Sequence, residues 1–163
     1  MPLAFQPPGE TYLVRAYRPG DAPALVRLAE EMAADVAEPR PALDAAMLAR
    51  ATDPAQPWCE LLVAAEGETL LGFVLFTRRF EAHMARFSLW IADMHVAAAA
   101  RRLGVGRALM KAVARRAVAL GCGIVAWDLW VRNERARAFY LSLGAEVDGE
   151  LQVFRIDPAR LSC

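Results

Sequence analysis

Residues 94–110 read Met-His-Val-Ala-Ala-Ala-Ala-Arg-Arg-Leu-Gly-Val-Gly-Arg-Ala-Leu-Met. They follow an apolar, strand-like run at 87–93 and lead into a segment whose apolar residues recur at the spacing of one helix face. The pattern predicts a strand, a loop and a helix with Gly104 and Gly106 in its first turn. Such a turn presents unpaired backbone N–H groups and the positive end of the helix dipole. Positive charge beside it comes from Arg101, Arg102 and Arg107. The stretch therefore predicts a phosphate-binding site.

Other interpretations of this turn fit the sequence less well. A P-loop is excluded because no Gly-Lys-Ser/Thr ending is present. A dinucleotide-binding turn would need a third glycine where Leu109 stands. Nucleotide binding of that type stays an alternative, as does a simple tight turn with solvated arginines beside it.

Composition narrows the function further. The 163 residues predict one domain over 1–163, with residues 1–10 as a loose arm. Nineteen basic residues balance nineteen acidic ones, so no overall field favours nucleic acid. No apolar run reaches membrane-spanning length. Three unclustered cysteines without metal spacing suggest reduced thiols, no metal site and a cytoplasmic protein.

Hydrophobic periodicity and turn residues predict one α/β domain with a mixed sheet. The predicted strands are 11–17, 58–66, 70–77, 86–96, 123–131, 145–147 and 151–156. The predicted helices are 22–37, 43–51, a glycine-started helix ending near Leu120, and 133–143. Asp21 is a candidate N-cap, and 78–84 a connecting loop. The first helix carries an acidic edge, which either is solvated or attracts a cationic amine; it comprises Glu30, Glu31, Asp35 and Glu38.

Two motifs resemble those of a known family. The pattern Arg101-x-x-Gly104-x-Gly106, five residues after a strand-ending valine, resembles the pyrophosphate loop of the GNAT superfamily of N-acetyltransferases. A second segment, Asn133-Glu134-x-Ala136-x-Ala138-Phe139-Tyr140-x-x-Leu143-Gly144-Ala145, is similar to that family's Asn-x-x-Ala…Phe-Tyr…Gly segment. The two cover residues 86–147. Asp93-Met94-x-Val96 and Phe154-Arg155-Ile156-Asp157 most resemble the diamine (spermidine/spermine and thialysine) acetyltransferases.

The resemblance implies a fold and a co-substrate. The fold is α/β (α+β), with a mixed, mostly antiparallel sheet of six to seven strands, about four helices and splayed central strands. The co-substrate is acetyl-CoA, and no metal is implied. A bulge at Met94–Val96 would free a backbone N–H for the acetyl carbonyl. The implied cofactor-binding residues are Met94, His95, Val96, Arg101, Arg102, Leu103, Gly104, Val105, Gly106, Arg107, Ala108, Asn133, Ala136 and Tyr140.

The implied reaction is direct attack of a primary amine, on a small molecule or a protein, in a chain that forms a homodimer. Tyr140 would be the general acid at the CoA sulfur, although a phenol near pKa 10 protonates a thiolate near 8.5 only uphill, by about 2 kcal/mol. Asp93 and His95 are the candidate bases. Strand alternation places both on one face with Leu89 and Ile91, unless the bulge shifts one of them.

The chain departs from the diamine enzymes at two positions. Ala92 stands where they carry a glutamate at the substrate site, which argues against a polyamine. His95 replaces their usual aromatic residue. The identity of the amine, the choice of base and the preferred acyl length stay open. A non-catalytic acyl-CoA-binding module is the alternative function, and the intact Tyr140 and Asn133 argue against it.

Overall fold

A computed structural model describes residues 4–150 and 156–157 of the chain. Its contacts divide the chain into two compact units, Met1–Trp130 and Val131–Cys163. The second unit contains one described helix, α4 (Glu134–Leu141). The first unit contains β1 (Leu13–Ala16), α1 (Ala22–Asp35), α2 (Ala45–Ala51), β2 (Glu60–Glu66), β3 (Thr69–Glu81), β4 (Arg86–Val96), α3 (Val105–Ala119) and β5 (Ile124–Trp127). None of the helices within these described residues has the length and apolar character to cross a membrane.

The strands described in the first unit form one five-stranded sheet in the order β1-β2-β3-β4-β5. The first four strands pair antiparallel, and β4 pairs with β5 in parallel. The mixed, mostly antiparallel sheet and the four helices are thus confirmed. The prediction of six to seven strands exceeds what the described residues show. Residues 145–147 form no strand, and the side chain of Val147 is exposed rather than buried in a core. Most of the predicted strand at 151–156 lies outside the described residues.

The third strand is longer than the sequence predicts. Residues 78–81, expected in a loop, continue β3 and pair with 86–89 of β4. Their side chains are mostly exposed, so apolar patterning could not reveal them. Cross-strand contacts support the extension instead: the rings of Phe80 and Phe87 lie 5.0 Å apart, and Arg86 forms an ion pair with Glu81.

Each face of the sheet is covered by helices. On one face α3 packs through apolar residues spaced at helical intervals, namely Val105, Ala108, Leu109, Ala112, Val113 and Ala117. They contact alternate residues of the strands, including Val74, Phe76, Leu89 and Ile91. On the other face α1 and α2 pack against Leu61, Val63 and Phe73. The sheet is thus buried on both sides, as the apolar character of β4 indicates.

The N-terminal segment and Asp21 differ from what the sequence predicts. Within the expected loose arm, Phe5 exchanges backbone hydrogen bonds of 2.8 and 2.9 Å with Val14 of β1. Asp21 precedes α1 but makes no side-chain cap to it. Its carboxylate instead accepts hydrogen bonds from the Arg15 guanidinium at 2.7 and 2.8 Å.

Candidate active site

The central strand β4 carries a bulge at Ala92. Ile91 pairs with Phe76 and Asp93 with the adjacent Leu75, so Ala92 has no partner on β3. The register shift therefore lies two residues before the Met94–Val96 segment in which a bulge was expected. An extra residue reverses the side-chain alternation that follows it.

Because of the bulge, Asp93 and His95 do not lie on the face of β4 that carries Leu89 and Ile91, where simple side-chain alternation had placed them. Leu89 and Ile91 lie in the core under α3, and after the bulge Met94 and Val96 pack against that same core. Asp93 and His95 pair with Leu75 and Phe73, which pack on the α1 side. The expected common face with Leu89 and Ile91 is thus wrong for both candidate bases.

Beyond the bulge, β4 has a free edge. The parallel pairing with β5 ends at Ile91 and Trp127, whereas β4 continues to Val96. Within the described part of the first unit, no strand pairs with 92–96 on that side. Unpaired strand edges offer N–H and C=O groups to an extended ligand. The unpaired edge of β4 thus begins next to the bulge.

The first turn of α3 lacks a side-chain cap. Gly104 at the N-cap has φ 76°, a left-handed conformation that favours glycine. The Ala108 N–H donates to the Gly104 carbonyl at 3.0 Å, which begins the helical ladder. The N–H groups of Val105, Gly106 and Arg107 precede that bond and have no intrahelical acceptor. This is the local geometry that binds phosphate oxygens.

The three arginines near this turn are not equivalent. Arg102 and Arg107 are exposed, and neither forms an ion pair with a described residue. The Arg101 guanidinium forms an ion pair with Asp35 of α1, and its Nε donates to the Val96 carbonyl at 3.1 Å. Arg101 therefore ties the loop to α1 and β4, and its guanidinium is already engaged.

Two residues of the N-terminal segment lie behind the turn and were missed by sequence reasoning. The Tyr12 hydroxyl donates to the Leu103 carbonyl over a long 3.5 Å. A Cβ built on Gly104 would lie 3.6 Å from the Tyr12 hydroxyl and 3.7 Å from a carboxylate oxygen of Glu10. A negative charge thus stands beside a turn suited to anions. The Pro- and Gly-rich sequence around Glu10 carried no signal of this contact.

Asp93 lines a cleft of about 380 Å³ between α1, the connection after it and α2. Burial raises the pKa of the Asp93 carboxyl above its ordinary value, and the charges of Asp128 and Glu38 raise it further. The residues lining the cleft are Ala29, Met32, Ala33, Val36, Glu38, Pro39, Pro41, Ala42, Leu43, Met47 and Asp93. Asp93 is the candidate base that faces open volume.

His95 occupies a closed environment. It is 6% exposed, and its ring centroid lies 6.5 Å from that of Phe73. Its Nε2 lies 3.5 Å from a Glu31 carboxylate oxygen but outside hydrogen-bond geometry. Burial lowers the pKa of His95, and the nearby Glu31 and Asp35 only partly oppose this. A neutral imidazole under α1 that does not line the cleft is suited to positioning β4.

The second unit carries the other predicted site residues. Asn133 caps α4, since its side-chain oxygen accepts the Ala136 N–H at 3.1 Å. Tyr140 lies two turns after Asn133, half-buried, with its ring 5.2 Å from that of Phe139. Burial raises the pKa of Tyr140 to about 12. A phenol of that pKa would protonate a thiolate near pKa 8.5 only uphill, by about 5 kcal/mol. Tyr140 is thus a hydrogen-bond donor at neutral pH.

Taken with the fold, these features define an α/β protein whose central helix begins with an uncapped glycine turn and whose strand β4 is unpaired with β5 beyond Ile91. A sequence profile described as the acetyltransferase (GNAT) family matches residues 23–145, and the chain belongs to that family. Across the described residues, no group of three or more His, Cys, Asp or Glu side chains could hold a metal ion.

The chain is similar to a characterised enzyme over part of its length. It is 38% identical over 85 residues to the L-ornithine N5-acetyltransferase NATA1 of Arabidopsis thaliana, which covers 52% of this chain and 37% of that protein. The chain thus spans little more than a third of the length of that relative. This match does not confirm the expected diamine subfamily.

Solved structures share the fold. An integron cassette protein from the mobile metagenome of V. cholerae superposes with a TM-score of 0.77 at 24% identity, covering 94% of this chain and 99% of that chain. An aminoglycoside acetyltransferase from an uncultured soil metagenomic sample gives 0.76 at 17% identity, covering 90% and 96%. A ribosomal-protein-alanine N-acetyltransferase from Brucella melitensis gives 0.72 at 20% identity, covering 90% and 99%. At these identities the likeness shows the fold alone.

Proposed function

We propose that this chain is an N-acetyltransferase that transfers the acetyl group of acetyl-CoA to a primary amine by direct attack. The observation that carries the proposal is the pairing, within one unit, of two features. One is the uncapped start of α3 beside Arg102 and Arg107. The other is the free edge of β4 that begins at the bulge. Membership of the acetyltransferase family supports this assignment.

Each feature suits one part of acetyl-CoA. The backbone N–H groups of Val105, Gly106 and Arg107 bind the pyrophosphate, with charge from Arg102 and Arg107. The β4 edge at Met94–Val96 pairs with the amides of the pantetheine arm and supplies a donor to the acetyl carbonyl. Arg101 holds this loop in place through its contacts with α1. Family resemblance adds Asn133, Ala136 and Tyr140 to the cofactor-binding set.

The acceptor must be deprotonated before it reacts. An alkylamine near pKa 10.4 loses its proton at pH 7 at a cost of about 4–5 kcal/mol. Asp93 is the base in this proposal, because it lines the cleft and its pKa is raised. His95 positions β4 instead. In the reaction a C–N bond forms, the C–S bond breaks and the departing sulfur takes a proton.

Tyr140 stabilises the departing sulfur in this proposal. Its phenol keeps its proton at neutral pH because burial raises its pKa. It therefore donates a hydrogen bond rather than a proton, and the sulfur is protonated from solvent. This refines the general-acid role that the family resemblance implies.

Thermal unfolding and thiol release test the proposal together. Acetyl-CoA should raise the unfolding temperature and NAD should not, and an amine panel should release CoA thiol. Replacing Arg102 and Arg107 by glutamine should weaken acetyl-CoA binding about 3- to 30-fold, since each contributes about 0.3–1 kcal/mol. Arg27→Gln, an exposed arginine on α1, is the matched control. Absence of stabilisation by acetyl-CoA would overturn the proposal. Stabilisation without thiol release from any amine would indicate a non-catalytic acyl-CoA-binding module.

The homodimer and the cytoplasmic location that the resemblance and composition imply stay predictions. Sedimentation of the purified chain tests the first of them.

A further inference from the structure

The cleft beside Asp93 has a consistent chemical character. Nine of its eleven lining residues are apolar: Ala29, Met32, Ala33, Val36, Pro39, Pro41, Ala42, Leu43 and Met47. Its volume of about 380 Å³ lies in the range of small-molecule sites. The two polar lining residues, Glu38 and Asp93, are both acids.

Charge in the cleft is negative and unneutralised. Neither Glu38 nor Asp93 forms an ion pair with any described residue. The other acids of the α1 edge are engaged, since Glu30 pairs with Arg40 and Asp35 with Arg101. Of that acidic edge only Glu38 lines the cleft, where Asp93 of β4 is the second carboxylate. These two acids offer the cleft's charged partners for an ammonium group.

Among the residues that the structure describes, no lysine, arginine or histidine lines the cleft. A substrate carboxylate would therefore lose its hydration against apolar walls without gaining a cationic partner, which is unfavourable. Polar groups distributed along a substrate would likewise meet methyl and methylene groups. An alkyl or aryl body would instead bury its surface there, at about 25 cal/mol per Å².

From these contacts we infer that the cleft binds the acceptor, and that this acceptor is an amine with an apolar body and no carboxylate. The inference rests on the proposed function and deepens it by naming the substrate class. It separates this chain from the similar L-ornithine N5-acetyltransferase, because ornithine carries a carboxylate.

A series of equal chain length tests the inference. Hexylamine, 1,6-diaminohexane and 6-aminohexanoate differ only at the end remote from the reacting amine, which is a methyl, an ammonium or a carboxylate group. We expect kcat/KM to be at least tenfold higher for hexylamine than for 6-aminohexanoate, and 6-aminohexanoate to be the poorest of the three. Amine-dependent thermal stabilisation in the presence of CoA should follow the same order, and it reports binding independently of turnover.

A positive charge introduced into the wall of the cleft gives a more direct test of the inference. Met47 lines the cleft and is 54% exposed, so Met47→Lys should fold and should place a cation opposite a substrate carboxylate. We expect this variant to raise kcat/KM for 6-aminohexanoate severalfold and to lower it for hexylamine. Val118→Lys makes the same change at an exposed position of α3 outside the cleft, and it should alter neither value.

The outcomes distinguish the two proposals. If 6-aminohexanoate or ornithine is acetylated as efficiently as hexylamine, the inferred substrate class is wrong and the proposed activity stands. If Met47→Lys leaves the preference unchanged, the cleft is not the acceptor site. If no amine releases thiol, the proposed function fails and the inference fails with it.

Discussion

Asp21 shows how a single side chain takes a partner that its neighbours in sequence do not reveal. It stands at the start of α1, where an aspartate is a natural cap, yet its carboxylate turns to Arg15 of β1. The side chains of this pair are 11% and 12% exposed. Hydrogen bonds from Arg15 hold the pKa of Asp21 below its ordinary value, against the opposing effect of burial.

We predict that Asp21→Asn lowers the free energy of unfolding by about 3 kcal/mol at pH 7, because it leaves a largely buried guanidinium without its counter-ion. A lowered folded-state pKa contributes stability above the ordinary pKa, and this contribution is lost as the pH falls through the folded value. The difference between variant and parent should therefore shrink below about pH 4. Urea unfolding over a pH series measures it. Glu30→Gln, in the exposed pair with Arg40, should cost less than about 1 kcal/mol; an equal loss in both variants would contradict the argument.

The hydroxyl of Tyr140 is the group whose removal should most affect turnover. We predict that Tyr140→Phe lowers kcat by roughly 10²-fold, with acetyl-CoA affinity changed less than about threefold. Because burial raises the pKa of Tyr140 to about 12, its loss should not alter the pH profile of kcat below pH 9. Steady-state thiol release and calorimetry give the two values. Phe139→Leu removes the adjacent ring without removing a hydroxyl and controls for packing; unchanged kcat in Tyr140→Phe would exclude it from the mechanism.

The ionised Asp93 carboxylate should lower the stability of the folded protein, although the proposed reaction needs it. Its pKa is raised by burial and by Asp128 and Glu38, so its ionised form is less favourable in the folded state than in the unfolded chain. This penalty is absent below the ordinary pKa, grows as the pH rises from the ordinary to the folded-state pKa, and is constant above it. We predict that Asp93→Asn unfolds at a higher temperature than the parent at pH 7, and that the advantage disappears near pH 4. Burial and the charge of Asp93 raise the pKa of the Cys59 thiol, which therefore stays neutral over that range.

The measurement that checks this is thermal unfolding between pH 4 and pH 8, with kcat/KM for the best amine alongside. Asp93→Asn should lose most of its activity while gaining stability. Asp128→Asn, which removes a neighbouring charge but no cleft residue, is the control. A variant that is less stable than the parent at every pH would show that Asp93 has a structural partner.

At the scale of elements, the close approach of β3 to the end of β4 requires a glycine at position 72. A Cβ on Gly72 would lie 2.6 Å from the His95 carbonyl oxygen and 3.2 Å from the Val96 Cα. Both neighbours are backbone atoms, so they can give way only if β4 moves. These are residues of the free edge that the proposal assigns to acetyl-CoA.

We predict that Gly72→Ala lowers the free energy of unfolding by about 1–3 kcal/mol, as overpacking does, and also raises the KM for acetyl-CoA. Gly123→Ala is the matched control, since a Cβ there meets nothing within 4 Å. Chemical unfolding and steady-state kinetics on the two variants separate the effects. If Gly72→Ala loses stability but keeps its KM, the β4 edge is not part of the acetyl-CoA site.

Elements were predictable from sequence wherever their pattern is local. The bounds of β4, the glycine-started α3 and the Asn133 cap of α4 all follow from periodicity and capping residues within one stretch of chain. The position of the bulge does not, because a shift of one residue is defined only by the partner strand. For the same reason the direction of Asp93 and His95, and the commitment of Arg101 to α1, could not be derived from their neighbours in sequence.

At the scale of the whole molecule, the charges of the chain balance, so anion binding depends on groups near the site. The sequence has 19 basic and 19 acidic residues, so no long-range field draws acetyl-CoA to the protein. The sequence did predict the glycine turn and its arginines. It could not predict that Glu10, from a segment expected to be loose, stands beside Gly104. That contact depends on the pairing of Phe5 with Val14, which brings the segment to the sheet.

Glu10 should therefore weaken the binding that the turn supports. We predict that Glu10→Gln tightens acetyl-CoA binding about threefold at low salt, since one nearby charge at a partly exposed site acts by about 0.3–1 kcal/mol. The gain should fall towards zero at 1 M salt, where the Debye length is about 3 Å. Calorimetric titration of acetyl-CoA at two salt concentrations measures both effects. Glu68→Gln removes the same charge at the β2–β3 turn and should change neither value. Because the two variants have equal net charge, a common increase in affinity would mean that overall charge, not the neighbourhood of the turn, governs acetyl-CoA binding.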